Sequence, residues 1–332
     1  MLTEMQNWRE TLKVDGKPDR LCNQFRPVEL LTDEPIYQFM FGKRKKGTTT
    51  ISPLGVTIAF PENVPGAMPH VTKENKVCPD VTRWRETVHI PDLDAQNFDW
   101  SAAEALAAKV DRENHPLILM MIEGIFEMMH SLMGFEDTLI NFYEEPEAMA
   151  ELIQALADFR FRWVQLLVEH LHPNVICSHD DWGSKTSLFM QPDMWREFFK
   201  PHYKKFYEYQ KENGVVTMHH ADSYMEPIAL DMAEIGIDIW QGVLPSNNIP
   251  KMQEELQGRM VLMGGIDAGI VDRENSTEEE IRAETRRACE TYGPGGHFIP
   301  SMTYGRPGSS IFKRTYQIIE DEIDKYNQEH FG

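Results

Sequence analysis

The chain reads as an α/β protein, a (β/α)8 TIM barrel with an N-terminal extension covering the barrel mouth, and three observations predict this. From about Pro116 onward, short β-type runs alternate with longer helical stretches, the order expected of parallel strands joined by crossover helices. No GxGxxG follows an early strand, as it would in an open dinucleotide-binding sheet. Each strand-like run ends on polar or small residues, and in a barrel the carboxyl ends of all strands converge on the face that carries the active site.

The first hundred or so residues differ from the rest. "TTTISPLGVTIAFPENVPGAMPH", Thr48 to His70, reads as a β-hairpin followed by a Pro/Gly-rich loop. This region is expected to supply the first barrel segments and an extension lying over the mouth, with 101–332 forming the main barrel of a single domain spanning 1–332. The strands that follow are "PLILMMIEG", "NVICSHDD", "GVVTMHHAD", "GIDIWQG", "RMVLMGGID" and "GGHFIPS". Between them, "EEPEAMAELIQALADFRFRWVQLLVEHL" repeats apolar residues at three- and four-residue spacing, and "MEPIALDMAEIG" ends on a helix-stopping glycine. The strand ends are Glu123-Gly124, Asp180-Asp181, His220 with Asp222, Gln241, Gly264-Gly265 with Asp267, and Ser301.

Bulk properties narrow the function classes. The 332 residues are 41% hydrophobic and 26% charged, a globular composition, and no run approaches the ~18 apolar residues of a membrane span. The amino terminus lacks an export signal, so a cytoplasmic location is expected. A net charge of −20 argues against nucleic acid and anionic membranes as partners. The basic run "GKRKKG" at Gly42 to Gly47 reads as a solvated turn. Cys22, Cys78, Cys177 and Cys289 are too scattered for a zinc ribbon or a disulfide scaffold and read as reduced packing thiols.

Two strand ends concentrate chemistry. In "VVTMHHADSYMEP", Val215 to Pro227, neighbouring strand residues face opposite sides, so His220 and Asp222 are expected inward together and His219 in a structural place. In "HDDWGS", Asp180 and Asp181 are candidates for orienting substrate, ligating metal or moving a proton.

The stretch from "NVICSHDDWGSKTSLFMQPDMWREFFKPHYKKFYEYQKENGVVTMHHADSYMEPIALDMAEIGIDIWQGV" through "GRMVLMGGID" and "GPGGHFIP" resembles the uroporphyrinogen decarboxylase superfamily, and within it the corrinoid-dependent methyltransferases. The resemblance covers roughly Pro116 to the end of the sequence and implies a (β/α)8 barrel. Its zinc methyltransferases carry His-x-Cys at one strand end and a later Cys. The alignment puts these on His220, on Asp222 and near Thr303, so a thiolate zinc site is excluded. Zinc remains compatible with N and O ligands, with His220, Asp222 and a carboxylate from another strand end, Glu123 or Asp181, as the expected set. The arginine-rich "RQAGRY"-type loop of the heme-pathway enzyme is missing from "RPVELLTDEPIYQFMFGKRKKG", which argues against a multiply anionic tetrapyrrole substrate.

The resemblance implies a methyltransferase of the O-demethylase type. It would take a methyl group from a small methylated donor, a methoxylated aromatic first among them, and deliver it to the corrinoid of a partner protein. His220, Asp222, Asp181 and Asp180 are the expected catalytic groups, and Glu123, Trp182, Gln241, Asp267 and Tyr304 the expected substrate contacts. The 19 methionines would suit an apolar pocket, although such residues more often fill a core. The alternatives are a decarboxylase of a small carbon acid and a non-catalytic corrinoid or tetrapyrrole binder. A homodimer is compatible with all of them.

Overall fold

The computed structural model describes residues 1–42, 44–63, 66–303 and 313–332. Ten strands form two sheets: β1 (Glu29–Leu31), β2 (Thr48–Ile51), β3 (Thr57–Phe60), β4 (Met68–Pro69), β5 (Leu117–Met121), β6 (Val175–His179), β7 (Val216–His220), β8 (Ile239–Val243), β9 (Val261–Ile266) and β10 (Phe298–Met302). Seven of them form one parallel sheet in the order β1-β5-β6-β7-β8-β9-β10, and β2-β3-β4 form a small antiparallel sheet.

Among the described residues the sheet has seven strands, not the expected eight, and no ladder joins its edges β1 and β10. The span between β1 and β5, where a further barrel strand was expected, folds back on itself as the antiparallel hairpin. The alternating run at Thr48–Phe60 finds its partner locally, across the turn. One side-chain bond reaches across the gap, from the Met302 N–H to Gln24 Oε1 at 3.3 Å.

The period of two along each strand separates two cores. Ile118, Met120, Val175, Cys177, Met218, Ile239, Val261, Met263 and Ile299 pack together inside the curled sheet. Leu117, Leu119, Met121, Ile176, Trp240 and Leu262 face the helical layer in a larger cluster.

The N-terminal segment completes the inner cluster. Helix Glu4–Leu12, started by a Thr3/Gln6 capping box, contributes Met5 and Trp8, and the following turn adds Cys22 and Phe25. His297, just before β10, donates from Nδ1 to the Thr11 carbonyl at 3.1 Å, which places the segment at the amino ends of the strands. It plugs the base, so of the first hundred residues expected to cover the mouth this segment lies at the other end. The material on the mouth side is the insertion after β1. Lys76 pairs with Asp137 and the Cys78 N–H donates to the Leu132 carbonyl at 3.0 Å, both on helices (Ile125–Met133 and Phe135–Glu144) that follow the carboxyl end of β5. All four cysteines are free and buried, as packing thiols should be. No helix among the described residues is long and apolar enough to cross a membrane.

Candidate functional site

The site is assembled where β5, β6 and β7 end. Helix Ile125–Met133 starts directly after β5, and its first N–H groups need partners. Asp180 supplies them from 54 residues away: its buried carboxylate accepts from the Phe126 and Glu127 N–H groups, each at 3.0 Å. It also accepts from Trp182 Nε1 at 2.9 Å and the Tyr203 hydroxyl at 2.6 Å. The Tyr203 oxygen in turn accepts the Ile125 N–H at 3.1 Å. The approach is so close that a Cβ on Gly124 would lie 2.0 Å from Asp180 Cγ, so only glycine fits. Just before it, Glu123 sits at φ +58°, and its carbonyl accepts a bond from the buried guanidinium of Arg160.

This brace fixes Glu127, the third residue of the helix. Its Oε2 accepts the Gly124 N–H at 2.8 Å, and the same atom lies 3.3 Å from His179 Nδ1. His179 continues the inward series Val175, Cys177 on β6. Its Nε2 is 3.5 Å from Asp181 Oδ2, and Asp181 Oδ1 is buried without a hydrogen-bond partner. One imidazole thus lies between two carboxylates.

Charge states follow from these neighbours. Burial alone would lower the His179 pKa, but Glu127 and Asp181 outweigh it and raise it to about 10. Burial lifts the Glu127 carboxyl to about 8 against the pull of His179. For Asp181 burial works upward, yet the bond to His179 prevails and holds it below the usual carboxylate range. Burial, reinforced by the Asp181 charge, pushes Asp222 up to about 7.

His220 faces inward as expected, its ring 4.6 Å from that of His179. It is neutral, however: burial, with the His179 charge beside it, takes its pKa down to about 4. Its Nδ1–H donates to the Gln241 amide oxygen, so Gln241 orients the ring. The proton-donating role expected of His220 therefore fits its neighbour on β6. His219 is structural, as expected. Tyr207 donates to its Nδ1 at 2.8 Å, its Nε2 donates to the Asp180 carbonyl at 3.1 Å, and burial holds it near 3.

The remaining expected residues divide. Asp180 is occupied by four donors, which makes it a brace rather than a reacting group. Trp182 is fully buried and packed between His219 and Trp195, so it is unable to contact substrate. Asp222, Asp267 and Thr303 line a cavity of ≈ 430 Å³ together with Lys185 and Arg273. Asp267 also caps the next short helix through the Gly269 N–H, at 2.8 Å. Tyr304 lies outside the described residues.

Among the described residues, the group whose ligand atoms gather within 4.8 Å of one another is Glu127, His179 and Asp181. The expected set of His220, Asp222 and Glu123 is not gathered. His220 has committed Nδ1 to Gln241, and the charge neighbours of Glu123 are Arg44 and Arg160 ahead of His179. The observed trio, one nitrogen and two carboxylates with a buried oxygen lacking a partner, fits a divalent cation. Sequence reasoning missed His179 and Glu127. Counting the alternating series forward from Val175 through Cys177 would have found the first, and the spacing Gly-x-x-Glu at a helix start would have suggested a capping role for the second.

Comparison with known proteins adds the following. The family model described as uroporphyrinogen decarboxylase (URO-D) matches residues 48–312. A methyltransferase from Methanosarcina mazei superposes with a TM-score of 0.68 at 16% identity, covering 98% of this chain and 99% of that one, a likeness of fold. A putative sugar phosphate isomerase/epimerase from Anabaena variabilis reaches a TM-score of 0.38 at 12% identity, over 74% of this chain and 85% of its own. No curated protein matches the sequence.

Proposed function

The chain belongs to the uroporphyrinogen decarboxylase family, and from that premise we propose that it is a methyltransferase. It would remove a methyl group from a small methylated donor, a methoxylated aromatic first among them, and pass it to the corrinoid of a partner protein. The methyltransferase fold neighbour supports this reading. The observation that carries it is one imidazole, His179, held between the Glu127 and Asp181 carboxylates at 3.3 and 3.5 Å, an arrangement that favours its protonated form.

An aryl oxide departs poorly because negative charge accumulates on its oxygen. A group that protonates or neutralises that oxygen as the methyl carbon leaves lowers the barrier. In the balanced step the C–O bond would break with its electron pair staying on oxygen, which would take the His179 proton, while the methyl group would pass to the reduced corrinoid of the partner protein, the acceptor that would supply the electron pair for the new bond. The proton returns to His179 from solvent, favoured by the negative charge of Asp181 and Glu127, and His220, fixed by Gln241, presents a neutral wall beside it. A divalent cation held by Glu127, His179 and Asp181 would supply the same neutralisation as a Lewis acid.

The test is methyl transfer from a panel of methoxylated aromatics to free cob(I)alamin, followed by the change in the corrinoid spectrum. His179→Gln should lower kcat/KM by ~10²–10⁴, and an unchanged rate would refute the assignment. The family description also favours a second reading, in which the same imidazolium protonates the carbanion left by decarboxylation of a small acid. Release of CO₂ without methyl transfer would select that reading.

A further inference from the structure

We infer that Arg160 is a positioning residue of the site: from inside the helical layer its charge acts through the Glu123–Gly124 peptide bond on Glu127, and through Glu127 on His179. This deepens the proposed function and rests on it, adding a side chain that touches no reacting atom.

The relay is a chain of bonds. Arg160, on helix Pro146–Leu171, is 1% exposed, and its Nη1 donates to the Glu123 carbonyl. That carbonyl and the Gly124 N–H are the two ends of one planar peptide unit. The Gly124 N–H donates to Glu127 Oε2 at 2.8 Å, the same atom that lies 3.3 Å from His179 Nδ1. The plane of this peptide therefore sets where Glu127 stands. Glu123 holds it from the left-handed region, at φ +58°, which a residue with a side chain occupies only where its surroundings enforce it. The bond from Arg160 is part of that enforcement.

A neutral donor would be enough to tie down one carbonyl, yet the chain buries a cation there. The other guanidinium nitrogens, Nε and Nη2, are buried with no hydrogen-bond partner, and among the described residues no carboxylate forms an ion pair with them. Burying a charge without a counter-ion is costly. What the charge adds is polarisation: a cation on the carbonyl oxygen strengthens the N–H at the far end of the same amide as a donor. The donor so strengthened holds the carboxylate that orients His179.

Glu123-Gly124 is the sole Glu-Gly pair in the sequence, so ¹³C-carbonyl glutamate combined with ¹⁵N-glycine labels this one peptide for NMR in the full chain. In the wild type its carbonyl carbon and amide proton should both lie downfield; random-coil shifts would overturn the relay without any variant. Arg160→Met replaces the cation by an apolar chain of similar length, a change that buried charges commonly tolerate, and Arg160→Lys keeps the charge. In the Met variant the Gly124 amide proton should move upfield and exchange faster, and kcat for methyl transfer should fall ~10–10²-fold with KM unchanged. The Lys variant should return both readouts toward wild type.

A folded Met variant with the wild-type amide signal and kcat overturns the inference, because Arg160 then only packs. A Lys variant no better than Met overturns it as well, because the charge then has no part. If the wild-type chain consumes no methyl donor, the proposed reaction falls, and the Gly124 amide signal alone decides for or against Arg160.

Discussion

Glu127→Gln in the metal-free protein isolates the main source of the charge on His179. The Glu127 and His179 atoms are 3.3 Å apart, and two unit charges at that distance attract by ~5 kcal/mol at an effective dielectric of ~20, equivalent to ~3–4 pK units. Burial opposes the imidazolium and Asp181 remains in place, so the variant should lower the His179 pKa from about 10 by at least ~2 units. The sign extends to stability. His179 titrates above its unfolded value of ~6.5, so the wild-type protein holds this contribution fully below that pH and loses it as pH rises through about 10. The variant should lose it at lower pH. Imidazole resonances followed by NMR, assigned by comparison with His179→Gln among the 12 histidines, give the pKa directly, and urea unfolding at a series of pH values gives the stability limb. A shift below ~0.5 unit would show that the imidazolium owes its charge to something other than Glu127.

Two further substitutions test the frame around the site. Asp180→Ala leaves the Phe126 and Glu127 N–H groups, Trp182 Nε1 and the Tyr203 hydroxyl without their acceptor, and should destabilise by ~3–5 kcal/mol in urea unfolding; a loss below ~1 kcal/mol would contradict its role as a brace. Trp8→Ala empties part of the base plug and should lower stability by ~3–5 kcal/mol in urea unfolding while leaving the His179 pKa unchanged by NMR, because Trp8 and His179 lie at opposite ends of the sheet.

Much of this was legible in the sequence where local period decides. The strand runs and the opposed facing of His219 and His220 follow from the pleat, and the structure keeps both. "HDD" at the end of β6 was ambiguous because the same period lets either aspartate point inward. What settles it is the helix start at Ile125, which comes to Asp180 from 54 residues away, a long-range contact that no window of sequence contains. The move of the acid from His220 to His179 has a similar cause. Both rings face the interior, but Gln241 lies beside one and two carboxylates beside the other, and those neighbours come from different strands and loops. The helix before the first strand was not read from the sequence at all, and the end of the sheet it takes is chosen by long-range partners such as His297 at the start of β10.

The plug also bears on the order of events during synthesis. Asn327 bonds both the N–H and the carbonyl of Leu21, 306 residues earlier, and Arg26 grips Asp324 with two nitrogens. On a ribosome, Leu21 and Arg26 therefore emerge long before the helix that latches them, and Met5 and Trp8 before the strands they pack against. The nascent chain must carry this greasy stopper unfastened while the whole sheet is laid down, so the closing of the base belongs to the last stage of folding.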